Sequence, residues 1–218
     1  MSEATELAAG LDALGLALDP ARQQKLLDYA ALLSRWNQAF NLISRQDLHR
    51  LLSRHLLDSL ALLPWLDDAP AGPVADLGSG GGLPGIPLAI ARPERAMTLI
   101  DRSARKTRFL EQCRIELNLA EVTVVTSELA HYRPAQPFAT LVSRALDTPS
   151  RLWPKVSGLL EDHGRALLQA GPEAAEASFS GISAARFVTL AIPGLDHPHY
   201  LWVLDKCAAA SAPPTVGD

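Results

Sequence analysis

The 218-residue sequence predicts an α/β fold: a mostly parallel seven-stranded sheet with an antiparallel edge, preceded by a helical extension. Three observations carry that expectation. From Val74 onward, short apolar runs alternate with amphipathic segments, the pattern of strands joined by right-handed helical crossovers. The first of these runs ends in an aspartate and opens on four glycines in five positions, Gly78 to Gly82. Before Val74, by contrast, apolar residues recur at helical spacing.

In chain order, Asp19 and Pro20 form a helix start, a capping side chain followed by proline at the first helical position. Leu26, Leu27, Ala30, Leu33 and Trp36 then mark one apolar face. A second helical pattern runs through Leu48, Leu51, Leu52, His55, Leu56, Ser59 and Leu62. The stretch DDAPAGP breaks it, so residues 1–70 are taken as the extension and 71–207 as the sheet domain. VADL, AMTLID, VTVV, FATLVS and RALLQA supply five strands. RFVTLAI and HYLWVLDK, separated by a short link containing Pro and Gly, are expected to pair antiparallel and close one edge. The tail AAASAPPTVGD, residues 208–218, is small and polar and is expected to be disordered.

A hydrophobic fraction of 48% with 20% charged residues fits a globular protein. The two cysteines, Cys113 and Cys207, lie far apart without CxxC or Cys/His ligand spacing. Neither a disulfide framework nor a zinc site is therefore expected, which fits a reducing cytoplasm. The N-terminus is acidic, and no apolar run approaches the roughly 20 residues needed to cross a bilayer, so no export signal and no membrane association are expected. A net charge of −4 exerts no global pull on nucleic acid. A polyanionic partner would have to meet a local basic patch.

Glycine costs backbone entropy and packs nothing, so the cluster after Asp76 needs a geometric reason. A strand ending at Asp76, glycine turns and a helix opening near Pro84 would present backbone N–H groups and the positive end of a helix at the strand's C-terminal edge. Gly80, Gly82 and Gly85 satisfy GxGxxG by count, which suits any nucleotide-type ligand. Asp76 would repel a phosphate but tolerate ammonium and sulfonium charges. Asp101, at the end of the next strand, stands about 20 residues beyond the glycines, where a carboxylate can accept hydrogen bonds from two ribose hydroxyls. An adenosine with an amino-acid tail and no phosphate suits both acids, and S-adenosylmethionine (AdoMet) is such a molecule. Two plainer readings stay open: a glycine turn that holds no ligand, and an Asp101 that only caps the helix beginning at Ser103.

The segments DLGSGGGLPGIPLA and TLIDRSARKTRFLEQ, with the earlier WNQAFNLIS and RHLLDSL, resemble the RsmG (GidB) family of bacterial ribosomal RNA methyltransferases. The resemblance runs from about Ala21 to Lys206. It implies a Rossmann-like class I AdoMet-dependent methyltransferase that methylates guanine N7 in the 530 loop of 16S rRNA. The partner implied is 16S rRNA or a small-subunit assembly intermediate, met by a cytoplasmic monomer. By motif, the cofactor contacts implied are Gly78, Leu83, Leu129, Ala130 and Arg144, which join Asp76, Gly80, Gly82 and Asp101. This chain departs from the family pattern at Glu128, where relatives commonly carry Arg, at Ala130, which replaces an acid, and at Gln169 to Gly171, which reads QAG in place of LKG.

Methyl transfer from a sulfonium is an in-line displacement that needs alignment and exclusion of water, with no covalent nucleophile. Neither cysteine sits at a strand end, as C5 methylation of a pyrimidine would require. The turn after the fourth strand reads Ser143, Arg144, Ala145 and not the Asn/Asp-Pro-Pro-aromatic turn common for exocyclic amines. Guanine N7 carries a free lone pair and loses no proton, so a site without a general base suits it. Arg144 is the residue expected on the acceptor side, holding a phosphate, O6 or the cofactor carboxylate; the plain alternative pairs it with Asp147. Because an A-form major groove is too narrow for side chains, the target base must lie in a loop or be extruded. Arg102, Arg105, Lys106 and Arg108, and Arg35, Arg45, Arg50 and Arg54, could form local patches for RNA phosphates. Trp36 and Phe40 could stack on a base, although their spacing favours the core. His55 and Asp58, at i and i+3, favour a buried polar clasp between extension and sheet domain over catalysis. Three rival functions remain: an AdoMet enzyme for a small molecule, a dinucleotide-dependent oxidoreductase, and a non-catalytic AdoMet-binding RNA module.

Overall fold

The structure, a computed structural model, describes residues 2–44, 50–144 and 146–208. The chain opens with α1 (Glu3–Ala13), capped by Ser2, whose hydroxyl accepts from the Thr5 amide. This helix falls within the helical extension that the sequence predicts, ahead of the helix start marked at Asp19 and Pro20. α2 (Pro20–Phe40) starts as expected: the Asp19 carboxylate accepts from the Arg22 amide at 2.8 Å. It stops at Asn41, which takes the left-handed conformation (φ 47°).

The second expected helix differs in kind. Leu48 lies outside the described residues, and Leu52–Leu57 form a π-helical turn that runs into α3 (Asp58–Leu60) and then α4 (Leu63–Asp67). Such i→i+5 turns are rare and recur at functional sites. Residues 55 to 63 are buried without interruption, His55, Asp58 and Ser59 among them. One polar face of a helix thus reaches deep inside the protein.

All seven expected runs are strands: β1 (Val74–Leu77), β2 (Met97–Asp101), β3 (Val122–Thr126), β4 (Phe138–Arg144), β5 (Leu160–Ala170), β6 (Ile182–Leu190) and β7 (His199–Lys206). Their order is β3-β2-β1-β4-β5-β7-β6. β1 to β5 pair in parallel, whereas β7 runs antiparallel to both β5 and β6. The late antiparallel pair is present, but β7 is inserted between β5 and β6, leaving β6 at the edge. Burial explains the choice. Leu201 to Leu204 are buried, as suits an inner strand, while residues 183–186 of β6 are exposed.

One face of the sheet carries α5 (Gly85–Ala91) and α6 (Ala104–Glu116), and the other carries α7 (Pro149–Val156). The helical extension has no core of its own. Leu26, Leu33, Leu56 and Leu60 belong to the same apolar cluster as Ile86, Leu88, Phe109 and Leu110. Trp36 and Phe40 stack at 5.1 Å and Trp36 leans on Phe109, so these aromatics serve the core. The buried Tyr29 hydroxyl of α2 donates to the Gly81 carbonyl at 2.5 Å, tying the extension to the glycine loop. Because β1 has β2 on one side and β4 on the other, the strand order reverses at β1. Ligands of open α/β sheets bind outside the C-terminal ends of the strands at such a point.

Candidate cofactor cleft and acceptor cavity

The glycine loop closes on itself. Gly78 N and Ser79 N donate to the Ile100 carbonyl, Gly82 N and Leu83 N to Ser79 O, and Ile86 N to Gly82 O. Gly80 N donates to Asp101 Oδ2 at 2.9 Å, and Gly85 N to Asp76 Oδ2 at 3.0 Å. The expectation that these N–H groups face a ligand is therefore corrected for those of Gly78, Ser79, Gly80, Gly82, Leu83 and Gly85, which are bonded within the protein and leave little for a phosphate to bind. Gly80 has φ 58°, a conformation side chains rarely adopt. Gly85 has no room, since a Cβ there would lie 2.6 Å from Asp76 Oδ2. Backbone geometry and close packing, more than ligand approach, explain the cluster.

Asp76 is fully buried behind the loop, and its Oδ1 has no hydrogen-bond partner among the described residues. Burial pushes its carboxyl up to about 7. Asp101, 6% exposed, opens onto a cleft of about 470 Å³ lined also by Gly78, Ile100, Ser127, Leu129 and Leu146. Its Oδ1 accepts from Ser103 N at 2.8 Å, so it does cap the chain entering α6, while Oδ2 holds Gly80. A carboxylate has about four acceptor sites. Two backbone donors leave roughly two, the number that a ribose diol needs. Leu146, 41% exposed on the strand-to-helix connection after β4, offers a large apolar surface over Gly78; a Cβ on Gly78 would meet it at 2.5 Å. An adenosyl group fits this donor and acceptor set.

A second cavity, about 590 Å³, adjoins the first and shares Leu146 and Asp147 with it. Arg144, at the end of β4, lines this second cavity and not the cofactor cleft. It does not pair with Asp147, which binds Lys155 at 2.7 Å. Its Nη1 donates to Asp58 Oδ2 at 3.1 Å and to the Arg54 carbonyl at 3.3 Å, and its Nη2 to His55 Nδ1 at 3.0 Å. Asp58 Oδ1 accepts from Gln169 Nε2 at 3.0 Å and from His199 Nδ1 at 2.6 Å. Burial alone would raise the Asp58 carboxyl, but the hydrogen bond from His199 and the charge of Arg144 outweigh it and hold the group below its ordinary value.

Similarity to known proteins agrees with this layout. The family described as GidB, rRNA small subunit methyltransferase G, matches residues 22–183. The chain belongs to the GidB family. Two relatives named ribosomal RNA small subunit methyltransferase G illustrate the degree. The one from Pseudomonas aeruginosa is 42% identical over 209 residues, covering 94% of this chain and 96% of the relative. The one from Marinobacter nauticus is 40% identical over 204 residues, covering 92% and 94%. Among solved structures, magnesium protoporphyrin IX methyltransferase (ChlM) from Synechocystis PCC 6803 with bound SAM aligns with a TM-score of 0.58 at 17% identity, covering 87% of this chain and 99% of that one. TrmN from Thermus thermophilus aligns with a TM-score of 0.53 at 18% identity, covering 68% and 48%. At these identities the structures establish the fold alone, a Rossmann-like class I methyltransferase.

In this GidB chain, Gly78, Asp101 and Leu129 meet in the cofactor cleft. Gly80 is half-buried in the loop, Gly82 and Leu83 are buried beneath it, and Ala130 is exposed on the turn after Glu128. Sequence reasoning missed Leu146 and Ser127 at the cleft, and His199 at the cavity. The sequence signals available for them were an isolated leucine after SRA, a serine closing VTVVTS and the histidine pair of HPHY. Gln169, noted only as part of a departure from LKG, contacts Asp58. His55 and Asp58 do form a clasp between extension and sheet, and Arg144 bridges them. Of the expected basic patches, Arg35 pairs with Glu116, Arg45 lies outside the described residues and Arg54 lines the cavity. Arg102 and Lys106 line the cofactor cleft, Lys106 Nζ lying 3.9 Å from Asp101 Oδ2, while Arg105 and Arg108 are exposed on α6.

Proposed function

We propose that this protein transfers the methyl group of AdoMet to N7 of a guanine in the 530 loop of 16S rRNA. The observation that carries the reading is the pair of adjoining cavities at the sheet's switch point, one built around Asp101 and the other walled by Arg54 and Arg144. The relatives' names supply the RNA class.

AdoMet, when bound, supplies an electrophilic methyl group on a sulfonium. Asp101 would accept from the ribose hydroxyls, and Leu129, Leu146 and Gly78, which line the same cleft, would hold the adenine. Asp76 acts from behind the loop by holding Gly85, while Gly80, Gly82 and Leu83 shape the turn. Ala130 contributes at most main-chain contacts. Guanine N7 requires no proton removal, and the His55, Asp58 and His199 side chains that line the cavity are bonded to Arg144 or Arg54. His199 donates through Nδ1 to Asp58 and accepts at Nε2 from Arg54, and His55 Nδ1 accepts from Arg144. Arg144 makes three of its possible five N–H bonds within the protein. The two that remain suit guanine O6 or a phosphate, and the placement of Arg144 outside the cofactor cleft disfavours the cofactor carboxylate. Leu146, shared by the two cavities, puts an apolar surface between donor and acceptor sites. Arg102, Arg105 and Arg108 meet phosphates of the surrounding RNA. Among the described residues no helix is long and apolar enough to cross a membrane.

Radiolabelled AdoMet offered with naked 16S rRNA, 30S particles and a metabolite extract, followed by nucleoside analysis, tests the proposal. Label in 7-methylguanosine of the 530 loop is expected. Label confined to small molecules overturns it. Arg144→Ala is expected to abolish transfer while sparing AdoMet affinity, and unchanged activity would remove Arg144 from the acceptor site.

A further inference from the structure

Resting on the acceptor cavity just described, we propose that Asp58 is its positioning residue: one buried carboxylate sets both guanidinium groups that face the substrate. Asp58 is 1% exposed and lies on the helical extension, yet its partners come from the ends of three strands, Arg144 from β4, Gln169 from β5 and His199 from β7. Arg144 is held directly. Arg54 is held through His199, and hydrogen-bond direction fixes how. An arginine only donates, so His199 Nε2 must be the acceptor for Arg54 Nη1 at 2.8 Å. The His199 proton then sits on Nδ1 and points to Asp58 Oδ1 at 2.6 Å. The tautomer that lets the ring receive Arg54 is the one that donates to Asp58.

Asp58 is the carboxylate that Arg144 pairs with, and through His199 it also sets the direction of the bond to Arg54, so one charge orders two guanidinium groups lining one cavity. The Arg144 bond to the Arg54 carbonyl fixes the backbone but carries no counter-charge. Removing the carboxylate takes the counter-charge from Arg144 and the fixed tautomer from the His199 bond to Arg54. Asp58 lines no part of the cofactor cleft and, at 1% exposed, offers the acceptor cavity almost no surface, so its effect passes through Arg144 and Arg54. Arg144 sets the base at the methyl donor, where misplacement by about 1 Å costs on the order of 10²-fold in rate. Arg54, further out, acts on RNA affinity.

Asp58→Asn keeps the shape but turns an N–H₂ toward Arg144 or His199. In a methyl-transfer assay on 30S particles, this variant is expected to lose about 10²-fold in kcat with AdoMet affinity by calorimetry unchanged, which also shows that it is folded. His199→Ala, at a partly exposed position, cuts the link from Asp58 to Arg54 while leaving Asp58 bonded to Arg144 and Gln169, and is expected to raise KM for the particle several-fold with most of kcat retained. The double variant should match Asp58→Asn in KM, because both changes cut the same connection. Wild-type kcat and KM in Asp58→Asn, or KM effects that multiply in the double variant, would overturn the proposal. If the wild-type enzyme labels only a small molecule, the rRNA reading falls. The same kcat and KM pattern measured on that acceptor still decides the role of Asp58.

Discussion

Replacing Asp76 with asparagine should make the protein more stable at alkaline pH, and the size of the gain follows from burial. The carboxyl is raised from 3.8 to about 7 because charging it behind the glycine loop is costly. Between those two values the folded chain binds more protons at this site than the unfolded chain does. Stability therefore falls as pH rises through that window. At about 1.4 kcal/mol per pH unit, the whole shift corresponds to roughly 4 kcal/mol, of which about 2 kcal/mol is lost between about pH 5.5 and about pH 8.5. In Asp76→Asn the Oδ1 atom still accepts from Gly85 N, and nothing at the site titrates. Urea unfolding of both proteins at the two pH values isolates the effect, since every other group titrates alike in each. The difference in unfolding free energy should move by about 2 kcal/mol in favour of the variant as pH rises. A difference that stays flat would mean that Asp76 is ionised at neutral pH, and the argument from burial would fail.

Three further outcomes are expected. Asp101→Asn replaces one acceptor oxygen by a donor that faces a backbone N–H, and loss of a ribose bond to a charged group, about 1.5–3 kcal/mol, should raise the AdoMet Kd by roughly 10- to 100-fold; calorimetry giving a Kd within twofold of wild type would remove Asp101 from the ribose. Gly85→Ala should lower stability by about 1–3 kcal/mol in denaturant titration, because its methyl must displace the Asp76 carboxylate. Neutralising Arg102, Arg105 and Arg108 together should leave AdoMet binding alone but flatten the salt dependence of RNA binding, by about 0.7–0.9 in log–log slope for each phosphate that these side chains no longer neutralise.

The sheet was legible because each strand is a short apolar run bounded by turn residues, a signal that survives without tertiary context. The position of β7 inside β6 was not, since both runs are apolar and only burial against β5 separates them. The cofactor cleft was half legible. Asp101 announces itself at the end of a strand, whereas Leu146 lies on a connection whose direction no pattern sets. Asp76 was identified as important for a reason the structure revises: it anchors Gly85 and does not open onto the cleft. The acceptor wall was the least legible. Asp58 and Arg144 stand 86 positions apart, and Asp58 and His199 stand 141 apart, in segments that carry no shared periodicity. The RHLLDSL segment suggested a polar clasp, but only folding shows that the clasp is also a cavity wall.

The bond from Tyr29 to the Gly81 carbonyl has a consequence for engineering and for ancestry alike. The helical extension looks like a detachable leader placed before a complete nucleotide-binding domain, yet it braces the loop beneath the cofactor with one residue and the substrate wall with another. A chimera that grafts a foreign extension onto this sheet must bring its own equivalents of Tyr29 and Asp58, or it will inherit a cofactor loop without its brace and an acceptor wall without its counter-charge. The two parts can be exchanged only as a matched set.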